Sequence, residues 1–184
     1  MPLKHYLRYD AFDIEANNLY YDVTKLWCSS HIDCFEEDSP AVNVRPENIE
    51  ELGARLLEAK NNKVVVVGHN IVDYDLPAVE KILGISLDGI AFIDTLVLSR
   101  ALEPDREGGH SLKMWGKRLG ILKGTYGEDE GDTAWDKFSE EMMEYCEQDV
   151  RVTVGTLHAL MEEAGVTEEN IHLLVQIYVS PVVV

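Results

Sequence analysis

Positive charge is what this chain has least of: 16 lysines and arginines face 34 aspartates and glutamates, for a net charge of −18. So acidic a surface repels phosphate polymers and anionic membranes at long range, and any nucleic-acid contact must be local and helped by cations. Cysteine is scarce as well. Cys28, Cys34 and Cys146 are odd in number and lack zinc-site spacing, which excludes a disulfide framework or structural zinc and reads as a reducing compartment. No apolar run reaches the roughly eighteen residues of a membrane span, and residues 1–13 lack the apolar core of a signal peptide. A cytoplasmic protein without a membrane partner is the expectation. Internal repeats and low-complexity tracts are missing too. What is present is a globular balance, 46% hydrophobic and 27% charged, in 184 residues, read as one domain with its own core.

Strand-like composition in residues 7–16, 26–33 and 41–45 predicts three opening strands in a meander. Pro46 suits a first helical turn, and Ile49, Leu52 and Leu56 then share one face of a helix ending near Asn61. The run Val64-Val65-Val66-Val67-Gly68 has no alternation, the pattern of a central strand covered on both faces. Asp75-Leu76-Pro77 opens a short helix that ends at Gly84. A brief strand at 92–94, helices over 95–102 and 111–119, a long helix from the cap Ser139 to about 163, and a last helix from Thr167 complete the pattern. An α/β domain follows, with a mixed β-sheet flanked by α-helices.

Four acids stand out against this frame: Asp13, Glu15, Asp75 and Asp149. With fourteen Asp and twenty Glu, chance alone supplies about 1.5 Asp-x-Glu matches, so the tripeptide decides nothing by itself. Its setting matters more. Asp13 and Glu15 sit two apart in a strand and point to one side, where paired acids repel unless cations lie between them; the alternative is a solvated edge-strand face. Asp75 reads equally as a helix N-cap, but Gly68-His69-Asn70 at the end of the buried strand places it where sites collect in α/β domains. His69 reads as a loop residue and not as a ligand. Tyr145 and Asp149, four apart on a helix, project from one face beside the buried stripe Met142, Cys146, Val150 and Val154. Oxygen ligands from several elements suit hard cations such as Mg2+ or Mn2+, and two such ions can clamp the attacking and leaving oxygens of a phosphodiester.

Together, Asp13-Ile14-Glu15, Asn70-Ile71-Val72-Asp73-Tyr74-Asp75 and Tyr145-Cys146-Glu147-Gln148-Asp149 resemble the three motifs of the DnaQ-like DEDDy 3′-to-5′ exonucleases. The fuller wording, with Ile93-Asp94-Thr95-Leu96-Val97-Leu98-Ser99-Arg100 and Trp115-Gly116-Lys117-Arg118-Leu119-Gly120, is similar to the editing domain of family A DNA polymerases of the T-seven group of phages. The likeness runs over about residues 9–160. It implies a ribonuclease H-like fold and removal of nucleotides from a DNA 3′ end as 5′-monophosphates, with a proofreading role in phage-type replication inside an infected cell. It further implies two divalent cations, Mg2+ or Mn2+, held by Asp13, Glu15, Asp75 and Asp149, with Tyr145 orienting the attacking water and Asn70 holding the strand terminus. Tyr145 is no base at neutral pH, since a phenol ordinarily titrates near 10.

Between Gly108 and Gly127 no acid occurs, yet Lys113, Lys117, Arg118 and Lys123 fall there. With His110 they are expected to contact phosphates of a single-stranded or frayed 3′ end; the alternative is a solvated face. Trp27, Trp115, Trp135 and Phe138 read as core more readily than as base-stacking groups, Trp135 being the most exposed candidate. The apolar residues 179–184 either pack on the domain or mark a docking point for a polymerase subunit or other replication protein. Two other readings stand beside the leading one: an RNA 3′ exonuclease of the ribonuclease D type, and a noncatalytic acidic module that binds a polymerase.

Overall fold

Successive side chains leave a strand on opposite faces, and β1 (Arg8–Ala16) uses this to join two cores: Phe12, Ile14 and Ala16 enter one, Tyr9 and Ala11 the other. The structure, a computed structural model, describes residues 6–121, 126 and 134–181. β2 (Leu26–Asp33) pairs antiparallel with β1, and β3 (Val42–Val44) antiparallel with β2, which is the expected meander. β4 (Val64–Gly68), fully buried, runs parallel to β1, and β5 (Ala91–Asp94) parallel to β4. With β6 (Gln176–Ile177) antiparallel to β5, the described residues form one mixed six-stranded sheet, ordered β3-β2-β1-β4-β5-β6.

Parallel neighbours need crossover connections. Helix α1 (Glu50–Asn61) supplies one and α2 (Asp75–Leu83) the other; Leu52, Leu56, Leu76 and Val79 pack with Phe12 and Ile14 on one face of the sheet. The opposite face is covered by α5 (Glu140–Ala164), whose Val150, Leu157 and Met161 meet Ala11, Val65, Val67 and Ile93. Outside α5 lie α3 (Thr95–Leu102) and α4 (Leu112–Leu119), where Leu112 and Trp115 join Leu98 against Val152 and Leu160. The caps follow their chemistry: the Ser111 and Ser139 side chains accept from Met114 and Met142 amides, and Gly120 and Gly165 end α4 and α5 in the left-handed region.

The expected helix from Thr167 is absent. Instead Asn170 Oδ1 takes the Thr167 amide at 2.7 Å, a 3₁₀ turn follows at Ile171–Leu174, and the chain extends into β6. The pull is tertiary. Buried Glu80 of α2 accepts from the Tyr178 hydroxyl at 3.0 Å and the Ser180 hydroxyl at 2.8 Å, so this segment is held along the sheet edge. Tyr178 is thereby in the core while Val179 is 78% exposed, and residues 182–184 of the apolar tail lie outside the described residues. Among the described residues, no helix is long and apolar enough to cross a membrane.

Candidate active site

β4 pairs with β1 only as far as Ala11 with Val67, so the remainder of β1 on that side is open to other partners. Asp75 takes the place of the missing strand. Its Oδ1 accepts the Ile14 amide at 3.3 Å, between the two strand acids. The helix-cap reading of Asp75 gives way to this contact, because Tyr74 occupies the cap position and makes no side-chain cap bond. The chain can turn back here because Gly68 closes β4: a Cβ on it would lie 1.8 Å from Ile71 Cγ2, so any side chain would push the following loop off the strand end.

Asp13 and Glu15 project on the α5 side of the sheet, next in register to Tyr9 and Ala11. Cys146 of α5 meets them. A carboxylate oxygen of Asp13, one of Glu15 and the Cys146 sulfur all lie within 4.8 Å of one another, and the thiol donates to the Asp13 carbonyl at 3.5 Å. Asp149, buried, is one turn further along the same helix, and Tyr145 precedes Cys146. Thus strand end, α2 and α5 bring Asp13, Glu15 and Asp75 to one end of β1, with Asp149 one turn beyond the Cys146 that meets them.

The electrostatics agree. Burial, with the Asp94 carboxylate nearby, pushes the Asp75 carboxyl up to about 7 despite the backbone hydrogen bonds that pull it down. Burial, Cys28 and the charges of Asp13 and Glu15 push the Cys146 thiol well up, and burial with Asp75, Glu15 and Asp13 raises the Tyr74 phenol. Carboxyls concentrated at this cost suit a hard divalent cation taken through oxygen. The thiol, kept protonated, adds no anionic sulfur to the set.

A cleft of about 700 Å³ opens beside these groups, lined by Glu15, Asn17, Asn18, Leu19, Tyr74 and Trp135. The Tyr145 ring lies 5.8 Å from Tyr126 and 6.2 Å from Trp135, centroid to centroid. Asn70, half-buried, holds φ +70°, a left-handed conformation that asparagine tolerates. One residue the motif reading left without a role organises this loop. Asp94 at the end of β5 accepts the Asn70 amide at 3.0 Å, the Val72 amide at 3.2 Å, and the Leu96 and Val97 amides that start α3. Its sequence signals were its place directly between a strand and a helix and its presence in the wording over residues 93–100 that carries the resemblance. His69 donates or accepts at the Thr95 hydroxyl at 2.9 Å, which fits its reading as a loop residue.

The basic stretch divides. Lys113 and Lys117 are exposed on α4. His110 and Arg118 engage their own chain: His110 contacts Ser99 Oγ at 2.9 Å and the Pro104 carbonyl at 3.1 Å, while the Arg118 guanidinium donates to the Glu107 and Gly109 carbonyls and lies over the Trp115 ring. Lys123 lies outside the described residues. Trp27 and Trp115 are core residues as expected, whereas Trp135 is half-buried at the cleft.

Comparison with known proteins adds to this geometry. A family profile described as 3′-5′ exonuclease matches residues 4–164. The DNA-directed DNA polymerases of Enterobacteria phage T3 and Escherichia phage T7 are 35% and 34% identical over 189 residues, covering 82% of this chain but 26% of each polymerase. The chain thus spans about a quarter of the length of these relatives. Among solved structures, the catalytic core of RRP6 from Trypanosoma brucei superposes with a TM-score of 0.63 at 17% identity, over 91% of this chain and 45% of that one. Brucella melitensis NrnC with bound Mg2+ gives 0.60 at 19%, over 92% and 82%. These likenesses establish the ribonuclease H-like fold. With the profile spanning most of its length, the chain belongs to the 3′-5′ exonuclease family, a class of hydrolytic nucleases.

Proposed function

We propose that this domain removes nucleotides from the 3′ end of single-stranded or frayed DNA by hydrolysis, releasing 5′-mononucleotides, and serves proofreading in phage-type replication. The observation that supports it is the meeting of Asp13, Glu15 and Cys146 within 4.8 Å, with Asp75 bonded to the intervening Ile14 amide. Asp13, Glu15 and Asp149 would hold one divalent cation; Asp13, with Asp75, would serve a second. When bound, such ions make water nucleophilic near neutral pH and offset charge on the phosphate. The chain's own groups do the rest. Tyr145, set by its ring neighbours, orients the attacking water through its hydroxyl. Asn70, its backbone fixed through Asp94, holds the terminal nucleotide, and the cleft along Glu15 and Tyr74 receives it. Lys113 and Lys117 meet phosphates further along the strand, while His110 and Arg118 act by keeping the start of α4 in place. Similarity to polymerases that extend well beyond this segment favours DNA and a polymerase partner, either within one polypeptide or in a separate one.

The test is a 5′-labelled DNA oligonucleotide incubated with Mn2+ or Mg2+, with chelator as control and a matched RNA beside it. Stepwise shortening of DNA that chelator abolishes is the expected result. Faster shortening of the RNA would transfer the reading to an RNA exonuclease. No cleavage of either, without cation binding, would leave the noncatalytic binding module.

A further inference from the structure

Resting on the reading above, we propose that Trp135 is a positioning residue that stacks on the 3′-terminal base and, through Tyr145, makes hydrolysis depend on a base being there. Three observations point this way. First, Trp135 lines the same cleft as Glu15, so a nucleotide whose phosphate sits at the acids has its base within reach of the indole. Unpaired bases seek aromatic surfaces, and every base offers one.

Second, the indole is built in. Tyr126 and Tyr145 meet Trp135 edge-on, at interplanar angles of 82° and 72° and centroid separations of 5.2 and 6.2 Å. Hydrogen bonds fix the backbone around it: Trp27 Nε1 donates to the Trp135 carbonyl at 2.9 Å and the Tyr126 hydroxyl to the Ala134 carbonyl at 2.6 Å. Third, one of the two rings that meet Trp135 is that of Tyr145, the residue assigned to the attacking water. A stacked base holds the indole, the indole holds the phenol, and the phenol holds the water. Displacements of about 1 Å at such a position change rates by roughly 10².

Removing the side chain keeps the bonds through the backbone carbonyls but takes away its packing against Trp27, Met142, Met143 and Cys146, so Trp135→Phe, which keeps a ring there, is made beside Trp135→Ala. Single-stranded oligonucleotides ending in a normal nucleotide or in an abasic one separate the contributions. The unmodified protein should cut the base-bearing end with kcat/KM roughly tenfold above the abasic end, within the range one stacked base contributes. Trp135→Ala should slow the base-bearing end roughly tenfold more than the abasic end, through both KM and kcat, so that the preference for a base disappears; Trp135→Phe should restore part of the preference. Equal slowing of both substrates by Trp135→Ala, or a preference that survives it, overturns the inference while the exonuclease reading stands.

A second readout needs no turnover. Trp27 and Trp115 are core residues, so indole emission quenched in chelator by base-bearing DNA, but not by abasic-ended DNA, reports Trp135. That quench should vanish in Trp135→Phe. Unchanged emission overturns the stacking even if cleavage proceeds, and complete failure to cleave any DNA would instead remove the exonuclease reading on which the inference rests.

Discussion

The two ends of β1 are both acidic and differ in what surrounds them. At the start, buried Asp10 has the Arg8 guanidinium of the same strand at 3.8 Å to answer its charge, and His31 Nδ1 lies 3.4 Å away. Burial pushes the His31 imidazole down, and stacking on Phe12 at 5.7 Å places it as a neutral packing partner. At the other end, Asp13 and Glu15 gather with Cys146 and approach Asp75, whose own carboxyl is driven up. A like-signed cluster is unfavourable for a fold alone. The first end shows how this protein treats an acid that serves structure; the second concentrates like charge, which is the basis of the cation-binding proposal.

The largest break in that contrast should come from neutralising one acid at each end. Asp13→Asn is expected to lower turnover by at least ~10³-fold, the several kcal/mol that an ion clamp supplies, and to weaken Mn2+ binding by calorimetry. Asp10→Asn should leave turnover within about twofold while lowering stability by about 1–3 kcal/mol in urea titration, as expected for disturbing a buried acid paired with a charge. If both variants lost turnover equally, the two ends would not differ as argued.

Tyr145→Phe comes next. Loss of the hydroxyl should reduce kcat by about 10² and leave the calorimetric Mn2+ affinity intact; matching losses of both would remove its water-orienting role.

Smaller, and of defined sign, is the pH response of the chelator-treated protein. Asp75 ordinarily titrates near 3.8 and is raised to about 7 in the fold, so its neutral form stabilises the fold fully below about pH 4, and that contribution is lost as pH rises through 7. Thermal unfolding should therefore move to lower temperature from roughly pH 5 to pH 8. The slope should flatten in Asp75→Asn, and also when Mg2+ is added. A Tm that rises over this interval in the unmodified protein alone would contradict the burial argument.

The smallest effect belongs to α4. Lys113→Ala and Lys117→Ala should each flatten the salt dependence of single-strand binding by about 0.7 log units for one phosphate contact, with kcat unchanged at saturation. Neither should alter the contrast between the ends of β1.

Much of this was legible beforehand where the signal was local. The valine run of β4, the Ser139 cap, and the i, i+4 pair Tyr145 and Asp149 follow from strand and helix periods acting over a few residues. The segment after Thr167 departs from the predicted helix for the converse reason. Its composition allows a helix, and the bonds that extend it come from Glu80 and Ile90, far away in sequence. Asp94 stood in the motif over residues 93–100 without a role, and Trp135 stood out as the most exposed aromatic candidate, but the Asn70 and Val72 amides the one accepts and the ring the other meets come from distant segments.

By itself, the sequence determined which groups were available and how each was aimed along its own element. Alternation placed Asp13 and Glu15 on one side, and helical repeat placed Asp149 a turn beyond Cys146. Only the tertiary structure decided that β4 would stop short, that Asp75 would reach the Ile14 amide 61 positions away, and that Trp135 would touch Tyr145. The reason is physical: local periodicities act within a few residues, whereas meetings between distant segments are set by where strands end and which faces they must bury.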